Sequence, residues 1–164
     1  MTKEERQLLL KDLCTRLLYG VKGTVEIEVS TGEYSIESEH LLFMEKEIDV
    51  ELLGINKETE EIEVYPLNNN IDLDGYDYAI DDFIPYLRPM SNMTTEDIEK
   101  LSNETHCNFG WSRNNIATTL RLMDDSTILT NAKAIEWLNS HCFDYRGLIE
   151  KGLALEAPEG MYEK

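Results

Sequence analysis

The stretch Ile80-Asp-Asp-Phe-Ile-Pro-Tyr-Leu-Arg-Pro-Met-Ser-Asn-Met-Thr-Thr-Glu-Asp97 divides the chain in two. Before it, apolar and acidic residues alternate with the period of two that strands require; after it, the periodicity turns mostly helical. Pro85 and Pro89 cannot donate to the interior of a ladder, so Tyr86-Leu87-Arg88 reads as a short edge strand or bridging segment. Thr94, followed three residues later by Asp97, is an acidic variant of the capping box and should start a helix at once. The stretch is a junction between residues 1–90, a helix plus an acidic β-module, and residues 91–164, a mainly helical part packed on it. The two together fit the size of one domain.

Upstream, Thr2 and Glu5 form a strict capping box, and Leu9, Leu10, Leu13, Cys14, Leu17 and Leu18 recur at helical spacing. This predicts an amphipathic helix over residues 3–18, closed by Tyr19-Gly20 with glycine in the left-handed cap conformation. Cys14 on the apolar face reads as a small buried hydrophobe. Val21, Gly23, Val25, Ile27 and Val29 then alternate with polar residues. Thr31-Gly32 is read as a turn, with Tyr34 and Ile36 on a return strand. Further strands follow at 48–55 and 62–65 across a hairpin loop at 56–60, and Ile71–Leu73, Tyr78 and Ile80 would close the sheet. The expected fold is α+β, with a small antiparallel SH3-like barrel after the first helix; an open meander packed on that helix is the rival.

Downstream, Ile98 and Leu101 mark a short helix, and residues 106–115 are loop-like. Residues 116–123 suit a strand or a helix equally. A clearer helix spans Ala132–His141, with Trp137 favoured as core. Asp144–Gly147 is a turn, Leu148-Ile149 opens a short helix ending at Gly152, and Pro158–Lys164 reads as a loose tail.

Charge is the most informative total. Of the formal net charge of −18, residues 24–83 carry −16, from eighteen carboxylates against Lys46 and Lys57. Such a surface repels phosphate backbones, which argues against direct nucleic-acid binding and favours a basic partner. No apolar run approaches the roughly 18 residues of a membrane span. The N-terminus lacks a signal peptide's apolar stretch, so a cytoplasmic location is expected. Three cysteines without a C-x-x-C pair fit reduced thiols better than a disulfide framework.

Two constellations invite a metal and fail on their details. His106-Cys107 and His141-Cys142 are soft ligand pairs, but adjacent residues point in different directions, whereas structural zinc sites use wider spacing. Asn70-Ile-Asp-Leu-Asp-Gly75 with Asp81 mimics a calcium loop. Yet Asn stands for the first Asp, Asp for the bidentate Glu, and the flanks read as strands, so an acidic hairpin turn is the better reading. No phosphate loop, nucleophile elbow or dinucleotide fingerprint is present, and neither cofactor nor catalytic residue is expected. Trp111 beside Arg113 is a better candidate for an exposed anchor than Trp137, although core packing is favoured for it too, while Tyr86, Arg88, Trp111 and Arg146 could line a cleft at the junction.

The chain resembles a group of small acidic proteins carried by phages and mobile elements of gut anaerobic bacteria. The likeness rests on Leu13–Lys22, Pro85–Thr94, Glu136–Ile149 and Gly152–Pro158, about a quarter of the sequence. Members carry proline where Leu18 stands and histidine where Cys142 stands, which weakens a zinc site further. The resemblance brings no activity or cofactor; it implies a protein acting on a component of a bacterial host. The expected function is non-enzymatic: an acidic β-surface binding a basic host protein, in a way that would imitate nucleic acid. The alternatives are a small-ligand binder or enzyme with its cleft at the junction, and an acidity that serves only solubility.

Overall fold

The computed structural model describes residues 1–35, 40–68, 78–105 and 128–162, and the structural statements that follow concern these. Helix α1 runs Lys3–Arg16 and continues as a 3-10 turn through Tyr19. Both halves of the Thr2/Glu5 capping box form, and Gly20 adopts φ 68° beyond the end. The buried face is Leu9, Asp12, Leu13 and Arg16. Leu18 is 91% exposed because it falls beyond the α-helix, in the 3-10 turn, off the core-facing stripe. Cys14 is only half-buried.

The strands are β1 (Lys22–Ser35), β2 (His40–Asn56), β3 (Glu61–Pro66), β4 (Tyr78–Ala79), β5 (Ile84–Leu87) and β6 (Leu155–Glu156). Their order β4-β3-β2-β1-β5-β6 makes an open, mixed six-stranded sheet, so the expected closed SH3-like barrel does not form. Its first and last strands, β4 and β6, lie at opposite edges, and each is only two residues long. The expected turn at Thr31-Gly32 is also absent: β1 continues through it with a register irregularity between Ser30 and Tyr34. A glycine inside an alternating run serves a bulge as well as a turn, and here it lies within the irregular stretch.

Pro85 lies in an interior strand, between β1 and β6, where an edge was expected. Backbone parity explains the tolerance. Leu52 N–H donates to Val21 O at 2.8 Å, which turns the odd residues of β1 toward β2 and the even ones toward β5. The pair Gly23/Pro85 is therefore non-hydrogen-bonded, and proline's missing N–H points away from β1. Gly23 leaves room here for the Phe83 ring; a Cβ would lie 2.6 Å from Ile84 O.

Helices α2 (Thr95–Thr105) and α3 (Ile128–Ser140) pack on each other around Met93, Leu101, Trp137, Leu138 and Phe143. The Thr94/Asp97 box starts α2 as expected, with Thr94 N–H donating to Asp97 at 2.8 Å. After α3 the chain is mostly turns, and Leu148–Gly152 forms a turn where a helix was expected. The two carboxylate oxygens of Asp144 accept from Leu148 N–H and Ile149 N–H at 2.8 and 2.9 Å, which satisfies these donors without helical bonds. Leu148, Leu153 and Ala154 join Leu9, Val25 and Val50 in the larger core, so sequence-distant segments share one interior.

Two polar devices tie the C-terminal segment down. Asp12 accepts from Arg16 Nε at 2.6 Å and from Arg146 Nε at 2.8 Å, while Arg16 Nη2 donates to Phe143 O at 2.9 Å. Burial opposes the Arg16 charge, but Asp12 overrides it and holds the guanidinium above its usual range. The Tyr162 hydroxyl accepts from Lys22 N–H and donates to Tyr86 O, both at 2.9 Å. It fills the ladder position where Lys22 and Tyr86 would face each other, so the tail is docked through Tyr162 rather than loose.

Candidate functional site

Strands β1 and β2 outrun the rest of the sheet. Among the described residues β5 pairs with β1 only at Gly23 and Thr24, and β3 ends opposite Val50, so the paired segments beyond form a two-stranded ribbon. From Glu26 to Ser35 it extends roughly 30 Å at about 3.3 Å per residue. Directly opposite residues on antiparallel strands share a face, and here Glu26 faces Glu47 and Glu28 faces Glu45. Both are non-hydrogen-bonded pairs by the same parity, the kind in which side chains approach most closely. Like charges so placed are destabilising. Lys46 cannot relieve them because it pairs with Ile27 on the opposite face.

Beside the ribbon lies a cleft of about 510 Å³ lined by Thr24, Val25, Glu26, Ile27, Glu28, Glu45, Glu47, Asp81, Asp82 and Ile84. The 3-10 turn Ile80–Asp82 makes its wall, because there the chain leaves the sheet instead of continuing β5 along β1. Arg6 restrains that wall by pairing with both Asp81 and Glu60. Next to the cleft, the Tyr86 hydroxyl donates to Asp49 at 2.9 Å, and burial followed by the Asp49 bond pushes the phenol up to about 12.

Of the residues expected at a junction cleft, the three described ones make contacts of their own. Arg88 pairs with Asp97 at 3.4 Å and stacks 4.1 Å over the Phe143 ring, while its backbone bonds to Cys142 O and Asp144 N–H. Arg146 serves Asp12, and Tyr86 serves Asp49. Trp111 and Arg113 lie outside the described residues, as do His106-Cys107, residues 116–123 and most of the Asn70–Asp81 loop. A second cavity of about 290 Å³ is lined by Tyr19, Glu104, Thr105, Lys133, Glu136, Trp137 and Ser140, so neither cavity gathers the arginines or Tyr86.

His141 stacks on Trp137, ring centroids 3.9 Å apart, and Cys142 is buried, its thiol pushed up mainly by burial. Among the described residues, no group of three His, Cys, Asp or Glu is placed to hold a metal, and no helix is long and apolar enough to cross a membrane. The total charge anticipated an acidic surface but not Glu26, Glu28, Glu45 and Glu47 as its focus. Their meeting depends on a strand register that the expected turn at Thr31-Gly32 had misplaced.

The fold and cleft together define an acidic α+β protein with a projecting β-ribbon. Comparison with protein-family models, with curated proteins and with solved structures finds no match.

Proposed function

We propose that this is a non-enzymatic interaction protein whose acidic ribbon and cleft receive the basic surface of a host partner. The observation that carries this reading is the two pairs of facing carboxylates, Glu26/Glu47 and Glu28/Glu45, on a ribbon that extends beyond the other described strands. Solubility needs charge but does not need it concentrated where it weakens the sheet; alternating signs would dissolve the protein equally well. Carboxylates held together without cations are an arrangement that a cationic partner relieves on binding. Complementary charge then chiefly speeds and orients the encounter. A nucleic-acid-binding protein is one partner of this chemistry, the ribbon standing in for a phosphate array.

Pull-down from a bacterial lysate at low and high salt tests the reading, with a Glu26→Gln/Glu28→Gln/Glu45→Gln/Glu47→Gln variant alongside. A basic protein should be recovered at low salt, lost at high salt, and lost with the variant. Recovery of the same proteins by the variant would end this assignment. Competition by duplex DNA for the recovered partner then reports whether it is a nucleic-acid-binding protein.

A further inference from the structure

At Glu26 and Glu28 the ribbon's acidic face borders a strand edge that no described strand pairs with, and we infer that the partner docks there as an added β-strand, with basic and apolar residues alternating. This deepens the proposed function and rests on its acidic-surface reading. Among the described residues, no strand pairs with β1 beyond Thr24 on the side of β5. The parity set by the Leu52 to Val21 bond turns the N–H and C=O of Glu26 and Glu28 toward that open side. The edge is thus ready for strand addition, in which main-chain bonds supply affinity and alternate side chains supply specificity.

Charge decides the occupant. An added strand that exchanges hydrogen bonds with Glu26 and Glu28 places its own opposite residues on their face, directly beside Glu26 and Glu28 and above the cleft, with Glu45 and Glu47 about 10 Å away across β1. Lysine or arginine at those two positions meets Glu26 and Glu28 directly and lies in the field of Glu45 and Glu47 behind them. The residue between them points to the other face, beside half-buried Ile27. The complementary segment is therefore basic-apolar-basic and extended. A second copy of this chain is disfavoured on the same edge, because antiparallel pairing would set Glu26 against Glu28 of the other copy.

The test uses the intact protein and an alternating lysine–isoleucine heptapeptide followed by fluorescence anisotropy at low salt. Two N-methylated isomers of equal charge separate strand addition from simple attraction. Methylation of the lysine nitrogens blocks the bonds to Glu26 and Glu28, whereas methylation of the isoleucine nitrogens leaves that edge intact. The expected result is at least a tenfold loss of affinity for the first isomer and little for the second. On the protein side, Glu28→Pro should weaken the parent peptide at least tenfold more than Glu28→Gln. It removes an N–H that faces the open edge and is not used by β2. Equal binding of all three peptides would overturn strand addition while leaving the acidic-surface reading standing. Failure of the parent peptide to bind at low salt would overturn both.

Discussion

Replacing Glu45 and Glu47 with lysine should make the protein more stable and less able to bind a basic partner. The substitution turns Glu28/Glu45 and Glu26/Glu47 from like-charged into opposite-charged pairs. At about 5 Å separation in water, each repulsion is about 0.8 kcal/mol and its reversal swings about 1.7 kcal/mol. A Debye length of about 10 Å at 0.1 M salt cuts that swing to about 1 kcal/mol per pair. The cross-strand scale of about 0.2–1 kcal/mol per pair sets a similar size, so the double variant should gain about 1–2 kcal/mol. For a chain of this length that is about 2–8 °C in Tm. Urea denaturation and thermal melts at 0.1 M and 1 M salt measure it, because a Debye length of about 3 Å at 1 M should remove most of the gain. A double variant no more stable than the parent at low salt, or equally stabilised at both, would refute the claim that the ribbon holds uncompensated repulsion. Most stabilising surface changes are neutral for function; here gain of stability and loss of binding must appear together.

The other predictions concern the frame that holds the ribbon. Asp12→Leu leaves Arg16 buried without its carboxylate and should cost about 3–5 kcal/mol in urea denaturation, while Asp12→Leu/Arg16→Met should cost less than the single change. Tyr162→Phe should cost about 1–3 kcal/mol, since it strips the partner from Lys22 N–H, and amide exchange should show Lys22 losing protection. The Tyr86 phenol, raised to about 12 by burial and Asp49, keeps its proton in the fold while the unfolded phenol releases it near 10. Stability should therefore be complete below about pH 10 and fall as pH rises toward 12, and Tyr86→Phe should flatten that slope in an alkaline denaturation series. Gly23→Ala drives a methyl to 2.6 Å from the Ile84 carbonyl oxygen and 2.5 Å from the Phe83 ring, so its thermal midpoint should fall by several degrees, corresponding to an overpacking cost of about 1–3 kcal/mol.

The elements set by local chemistry were readable from the sequence. Thr2/Glu5 and Thr94/Asp97 are self-contained capping signals, and both helices start where those signals stand. The misreadings share one cause, which is pairing over distance. Thr31-Gly32 has the composition of a turn, but β2 pairs on either side of it, with Ser30 and again with Tyr34, and the strand runs on through an irregularity. Pro85 looked like an edge residue because its tolerated position depends on the parity of a strand sixty residues earlier. Asp12 and Arg16 were hidden in plain view: with Leu9 and Leu13 they hold the i, i+3, i+4, i+7 spacing of a buried face. Their chemistry argues for solvent until Arg146 arrives from the far end of the chain to share the carboxylate. The acidic focus was legible as charge and illegible as geometry, for the same reason of register.

Site and junction turn out to be one construction. The 3-10 turn Ile80–Asp82 ends the pairing of β5 with β1, and that single departure opens the strand edge, provides the cleft wall and adds Asp81 and Asp82 to the acidic lining. A β5 extended by two residues toward its start would have paired Asp82 with Glu26, setting another pair of like charges side by side and closing the edge. Repulsion thus favours the exit of the chain at the place where the edge is needed. Arg6 reinforces it by drawing Asp81 toward α1, away from β1. Charge partition follows: Asp81 is neutralised from the core side, whereas Glu26, Glu28, Glu45 and Glu47 have no described cation. Glu26 and Glu28 also lie on a strand edge that no described strand pairs with. Coincidence of this charge with an edge open among the described residues is what separates this surface from an acidic face that only keeps a protein in solution.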